Sequence, residues 1–502
     1  MRFRTGIVVH RLATAAYAFL FAAGAAAQTA QIADTAWDEL YRSDLDSLRA
    51  FIVANHPGAV DAQNPDFVRT LADSYDEALR ATSEVTNYTS YAIALARFGN
   101  RFQDRQLQVE VTRPLDDIRH AGLFPVYRDG GFVIAGADTR YGPLSTALLG
   151  AEVLGCDSLD VRQLFTRRVL SWRGRPAIES DWYVSAPLLF ADYGRPTPPA
   201  PASCRFAISD RRIEIPLIWK AVAPDVVNHE QLALASVVAR SPGVERLDSA
   251  NGIWVNIPTF AADTHQTDAP MHALLDSLRA ALEANPKWRL VVLDLRGNEG
   301  GESKWGEEIA QMLLGKRWAQ QALSWLNDGV YSEWRVSPFN VRAAWGMVTE
   351  IERRHSAESA DAKRMRSIVD SMFAALERGD SLYGPKQRRR GVKPPPSTKL
   401  PGRLVLLTSA SCDGACLDFL DQVRLHPAAI HVGQATSADT EYAANWEMQL
   451  PSGLASISFP LNVYRNRRRA SNVSLIPKVA YRGNIADSEA VRGWLLRNYS
   501  SW

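Results

Sequence analysis

Apolar residues recur three and four positions apart through the first fifth of the chain, which predicts helices. Asp44-Leu-Asp-Ser-Leu-Arg-Ala-Phe-Ile, Phe67-Val-Arg-Thr-Leu-Ala and Tyr88 to Phe98 carry the pattern, broken at Asn55-His56-Pro57-Gly58 and Asn64-Pro65-Asp66. A small helical domain over 28–113 accounts for it. From about residue 114 to 225 the period shortens to β-like runs such as Leu123-Phe-Pro-Val-Tyr, Gly131-Phe-Val-Ile-Ala and Ile213 to Trp219. Between them, residues 150–165 read as a strand, a tight turn and a short helix. The Pro-rich stretch from Pro196 reads as an exposed loop. Residues 226–502 alternate the two periods. Strands are predicted at Gly252 to Pro258, Trp288 to Asp294, Arg403 to Thr408 and Ile430 to Gly433, with helices at Met271 to Ala284, Lys304 to Leu314 and 414–424. Alternation of this kind implies an α/β layer with a mainly parallel sheet. Residues 316–402 interrupt it with Trp-rich helical sequence ending in Lys386-Gln-Arg-Arg-Arg-Gly-Val-Lys-Pro-Pro-Pro, which reads as an insertion closed by a mobile linker.

Residues 1–27 stand outside these patterns. Arg2, Arg4 and Arg11 precede an apolar stretch from Leu12 to Ala23, and Ala25-Ala26-Ala27 follow before Gln28. That is the order of a secretory signal, and a dozen apolar residues fall short of the ~20 that span a bilayer. A periplasmic or extracellular protein without a stable membrane anchor is the expectation. The four cysteines, Cys156, Cys204, Cys412 and Cys416, then sit in an oxidising compartment, where three pairings are open; pairing within segments and free thiols both remain. Charge adds an exclusion. Over 502 residues, 57 Lys+Arg stand against 55 Asp+Glu, a net charge of +2, too little basic excess for nucleic acid to be the main partner.

Two strings carry the candidate chemistry. Val291-Val-Leu-Asp-Leu-Arg-Gly-Asn-Glu-Gly-Gly-Glu-Ser-Lys ends a buried strand and opens a helix, so that glycine N–H groups and a helix N-terminus face one place, an arrangement suited to an oxyanion or a carboxylate. Leu406-Leu-Thr-Ser-Ala-Ser-Cys-Asp-Gly-Ala-Cys-Leu-Asp-Phe-Leu repeats the strand, loop and helix order. Together they resemble the C-terminal processing (tail-specific) serine peptidases, related to the tricorn core protease and to interphotoreceptor retinoid-binding protein. The first is similar to the family's "LDLRGNGGG" turn and the second to its "TxSAxE" helix entrance. Gly433-Gln-Ala-Thr-Ser-Ala-Asp is similar to the "GExTxGK" turn, and residues 150–157 resemble the "GDxILxVDG" of the PDZ-like domain.

The resemblance implies a ClpP/crotonase-like α/β core over 226–502, preceded by a PDZ-like β-rich domain over 114–225, and a serine-type peptidase acting on polypeptides without cofactor or metal. It also marks departures. Aligning Thr408 and Phe419 places Gly414 at the nucleophile, Asp439 at the dyad lysine, and Gln106, in Asp104-Arg-Gln, where other members have a candidate histidine. Gly300, Gly301 and Ala415 remain as backbone donors for an oxyanion. Ser411 is the candidate substitute nucleophile, with turn formation or helix capping as its plainer role; Cys412 and Cys416 would be thiol nucleophiles if free. Asp413 would cap the helix or repel an oxyanion. Ser303 and Lys304 are adjacent on a helix and so face apart. Arg465-Asn-Arg-Arg-Arg469 and the Lys386 run read as solvated surface or as contacts to anionic envelope polymers. Two functions stand side by side: an exported peptidase impaired at Gly414, and a non-catalytic pseudopeptidase of the cell envelope that binds a C-terminal peptide or another ligand.

Overall fold

A computed structural model describes residues 37–223, 240–262 and 267–499; the signal-like segment at 1–27 lies outside them. The three N-terminal apolar stripes become helices α1 (Trp37–Asn55), α2 (Asp66–Arg80) and α3 (Tyr88–Asn100). α3 starts at a reciprocal cap, in which the Asn87 side chain accepts from the Ser90 N–H and the Ser90 hydroxyl accepts from the Asn87 N–H. Strand β1 (Gln108–Val111) leaves the helices for a distant sheet.

The middle of the chain forms an antiparallel sheet of β2 (Leu123–Arg128), β3 (Gly131–Ala137), β4 (Glu152–Cys156), β5 (Ser203–Ile208) and β6 (Arg211–Pro216), paired in that order. Phe132, Ile134, Val153 and Phe206 are all but inaccessible beneath it. The helix after β4 runs from Val161 to Phe165, held at its start by the Asp160 side chain, which accepts from the Arg162 and Gln163 N–H groups. Cys156 and Cys204 face each other across β4 and β5 and form a disulfide.

The longest apolar strings make the central sheet. β7 (Gly243–Leu247) pairs antiparallel with β8 (Gly252–Asn256), and from β8 the order continues in parallel through β9 (Leu290–Asp294), with helices α4 (Ala269–Ala284), α5 (Ser303–Leu314) and α6 (Lys316–Leu326) in the connections. Strand β10 (Tyr331–Arg335) and helices α7 (Pro338–His355) and α8 (Ala360–Glu377) follow before the chain returns to the sheet at β11 (Arg403–Thr408). After helix α9 (Ala415–Val423) comes β12 (Ala429–Gly433), parallel to β11. Side chains of β9 alternate between two cores: Val291 and Leu293 meet α4, α5 and α9, while Leu290 and Val292 meet the C-terminal helix. Burial on both faces is why these strands read as continuous apolar runs.

The long antiparallel pair β13 (Tyr442–Gln449) and β14 (Ala455–Arg465) carries β1 and β10 on its other edge. The chain then adds the short β15 (Val479–Ala480) to the central sheet and ends in α10 (Ser488–Tyr499). α1–α3 share one core with α7, α8 and the inner face of β14, through Leu45, Tyr91, Ala344, Met365, Ile457 and Phe459. The insertion is therefore packed rather than appended. The stretch read as a mobile linker is also tied down: the buried Asp328 carboxylate accepts from the N–H groups of Arg390, Gly391 and Val392, at 2.8–3.0 Å, and the Trp318 indole donates to the Pro396 carbonyl. Its composition gives no apolar anchor, so the anchoring came from side chains that the sequence places 62 to 78 residues earlier.

Both disulfides restrict the unfolded chain by loop length. Cys156–Cys204 closes 48 residues and Cys412–Cys416 closes four. Loop-closure entropy assigns about 4 kcal/mol to the first and about 2 kcal/mol to the second. Urea titration of the paired Cys→Ser variants should therefore show the larger loss for Cys156/Cys204; an equal or inverted order would contradict the ranking.

Candidate functional site

The turns after β9 and β11 meet at the carboxyl ends of their strands. Gly300 has φ +101°, and a Cβ there would lie 2.9 Å from the Asp413 carbonyl and 3.0 Å from the Ala415 nitrogen. Gly301, at φ +129°, lies so close to Phe260 that a Cβ would overlap its backbone. Only glycine permits both approaches. The Asp413 N–H donates to the Asn298 carbonyl and sews the turns together.

Gly414 is the N-cap of α9, with φ +52° and ψ −122°. Such a backbone, between a buried strand and a helix, is the strained turn that lifts a nucleophile above an α/β sheet. Here it carries no side chain. A Cβ at Gly414 would meet only the Glu299 carbonyl and the Gly300 Cα, each at 3.8 Å, so the space for one is open.

Of the three backbone donors expected from sequence, two are available. Among the described residues, the Gly301 and Ala415 N–H groups have no hydrogen-bond partner. The Gly300 N–H is already taken: it donates to the Asn298 Oδ1 at 2.9 Å, so Gly300 serves the turn's shape and does not serve as a donor. The substitute nucleophiles fare similarly. Cys412 and Cys416 are joined in a disulfide that straddles Gly414 and leaves no thiol. Ser411 lies in the turn with no hydrogen bond to its hydroxyl among the described residues, and it does not cap α9, which has no side-chain cap. Asp413 instead accepts from the Gly414 N–H at 2.9 Å. Ser303 donates to Asp418, whereas Lys304 pairs with Glu302 and Asp268, so the two neighbours face apart.

The turn containing Asp439 joins the same place, since the Ser437 N–H donates to the Cys412 carbonyl. Asp439 is held by two guanidiniums, Arg467 at 2.8 and 3.0 Å and Arg469 at 2.8 and 3.0 Å. Arg469, almost wholly buried, also pairs with Asp418 and Asp421. Burial pushes the Asp439 carboxyl up, but Arg469 and Arg467 outweigh it and hold the group below the usual carboxylate range. An anion fixed in this way is no substitute for a lysine base.

Gln106 uses its backbone, donating to Asp104 and accepting from Asn445. Its neighbour Arg105 faces the elbow, 3.3 Å from Asp413 and donating to the Ser437 hydroxyl at 2.8 Å. Burial raises the Asp413 carboxyl against the pull of Arg105. Arg175, from the middle of the chain, donates to the Ala438 carbonyl and pairs with Asp181. Arg105, Arg175, Arg467 and Arg469 were not singled out as site residues from sequence. They lie in ordinary basic contexts, and only the Arg465–Arg469 run gave any signal. Among the described residues no group of His, Cys, Asp and Glu could hold a metal ion.

No protein-family model and no curated protein matches the chain. Solved structures do. Mature CPAF complexed with lactacystin is 13% identical over 92% of this chain and 99% of that one, with a TM-score of 0.58. Mature CPAF alone is 14% identical over 92% and 98%, with the same TM-score. The fold is CPAF's. The photosystem II D1 C-terminal processing protease, at 12% identity over 89% and 93% and a TM-score of 0.32, stands further off.

Two outcomes follow from the charges. Arg469→Met should cost about 3–5 kcal/mol in urea-induced unfolding, because Asp439 and Asp421 are left buried with one cation fewer; a loss under ~1 kcal/mol would show the network to be solvated. Asp104 has one carboxylate oxygen without a partner, and burial pushes it up to about 6, against the Gln106 N–H and the Thr440 hydroxyl. Its folded value lies above the ~3.9 of an unfolded chain, so the native state holds the proton between the two and stability falls as pH rises from about 4 through about 6. The stability difference between wild type and Asp104→Asn should accordingly change by about 2–3 kcal/mol between pH 4 and pH 7; a constant difference would refute the assignment.

Proposed function

We propose that this chain is an exported, polypeptide-binding relative of the C-terminal processing peptidases in which serine-type catalysis has been lost. Gly414 carries the reading: the backbone of a nucleophile turn is kept while the position has no hydroxyl. Three further observations support it. The flanking cysteines are consumed in a disulfide, the dyad-lysine position is an aspartate clamped by two arginines, and Arg105 stands at the elbow. Acyl transfer needs a nucleophile and a base in reach of each other, and neither is offered here.

The free N–H groups of Gly301 and Ala415, with the guanidinium of Arg105 nearby, suit a carboxylate, so the ligand is read as a polypeptide bearing a free C-terminus. In this reading residues 114–225 act as a PDZ-like domain beside a ClpP/crotonase-like core, and two disulfides fit a periplasmic or extracellular setting. No helix among the described residues is long and apolar enough to cross a membrane.

A fluorophosphonate probe tests the reading. The wild-type protein should stay unlabelled; covalent labelling at Ser411 or another cleft serine would restore the peptidase reading. Gly414→Ser should fold with a loss of about 1–3 kcal/mol from the positive φ, and remain unlabelled for want of a base. Labelling of that variant would show that a base is present after all.

A further inference from the structure

One basic run of the sequence, and one arginine of a second, remain without a role in the cleft, and the fold brings them together. No Asp or Glu occurs from residue 381 to residue 412, while Lys386, Arg388, Arg389, Arg390, Lys393 and Lys399 are all exposed. Among the described residues none of these six takes part in an ion pair. The second run is split by the fold. Arg467 and Arg469 turn inward to Asp439, whereas Arg468 lies outward over the Trp325 ring, 3.7 Å from its centroid. Asn466 joins the runs: it accepts from Arg389 at 3.1 Å, and its amide donates to the Gln387 carbonyl at 3.4 Å and the Gly329 carbonyl at 2.9 Å.

We propose that residues 386–399, with Arg468 beside them, form a docking track for a linear anionic polysaccharide. The backbone of the track is fixed before any partner arrives, since Asp328 holds three successive N–H groups, Gln321 donates to the Lys393 carbonyl, and Trp318 donates to that of Pro396. A ligand therefore meets cations whose main chain is already ordered, which lowers the entropic cost of binding. Its cations are spread over the fourteen residues from Lys386 to Lys399 on both sides of a turn at Gly391, an arrangement suited to a linear polymer rather than a compact anion.

The composition narrows the polymer. No Phe, Tyr or Trp occurs from residue 384 to residue 418, and the ring beside the track, Trp325, is covered by the Arg468 guanidinium at 3.7 Å, so the track offers no open aromatic platform on which bases could stack. It is not helical and presents no apolar face to enter a bilayer. What it offers is cationic groups at intervals of one to six residues, matched to repeated sulfate, phosphate or carboxylate groups. A net charge of +2 for the whole chain makes this a local property rather than one of the protein at large.

The test uses the intact protein and heparin as the linear polyanion. Binding is followed against salt for wild type, for Lys386→Glu/Arg388→Glu/Arg390→Glu/Lys393→Glu, and for a charge-matched control, Arg211→Glu/Arg212→Glu/Lys220→Glu/Lys287→Glu. Wild type and control should bind alike, and the track variant at least tenfold more weakly, with the slope of log K against log salt reduced by about two to four. Equal losses in both variants would reduce the effect to net charge and overturn the proposal. Asp328→Asn tests the preordered backbone separately: it removes a negative charge, yet binding should weaken; unchanged or tighter binding would refute that part. Retention of wild type on single-stranded DNA or on anionic phosphatidylglycerol vesicles as tight as on heparin, lost in the same variant, would replace the polysaccharide with that partner.

Discussion

The closeness of two turns governs what the rest of the molecule can be. Gly300 stands where any side chain would press on the Asp413 carbonyl and the Ala415 nitrogen, so the loops after β9 and β11 are brought to backbone contact and the first turn of α9 opens beside the first turn of α5. That contact exists only because β9 and β11 are neighbours in a sheet buried on both faces, in register from Leu290 with Arg403 to Asp294 with Leu407. Apolar packing of Val291, Leu293, Leu404 and Leu406 against α4, α5 and α9 fixes the strands; the strands fix the turns; the turns aim the N–H groups.

Around this backbone frame the polar contacts are mostly ion pairs. Buried guanidinium–carboxylate networks are weak sources of net stability, because desolvation offsets much of the attraction. Their consequence is specificity of arrangement: Arg469 joins α9, through Asp418 and Asp421, to the turn of Asp439, and Arg105 joins the end of the helical segment to the elbow. The Cys412–Cys416 disulfide adds a covalent brace across Gly414.

The same division runs through the outer layers. The basic strap is ordered by a carboxylate from the end of α6, and the insertion helices lie in the core shared with the N-terminal helices. Neither follows from local composition. A run such as Lys386 to Lys393, without apolar residues at a regular spacing, has the composition of a mobile segment until Asp328 is placed beneath it.

By itself the sequence determined the elements whose signal is local. The helices at 44–52, 67–72 and 88–98, the continuous strands at 290–294 and 403–408, and the glycines at 300, 301 and 414 could all be read, because periodicity and positive φ are properties of a few adjacent residues. The alternation from Ala455 to Arg465 was equally local and went unread, though β14 proved central to a sheet. Tertiary structure decided the rest. That Arg105 rather than Gln106 meets Asp413 and that Arg467 and Arg469 clamp Asp439 depend on side chains 28 to more than 300 residues apart; that Gly300 gives its N–H to Asn298 two residues before it, and that Arg468 turns away, depend on which face of a turn is buried. Hydrogen bonds and ion pairs of this kind have no period along the chain, and they exist only once the hydrophobic core has brought the turns together.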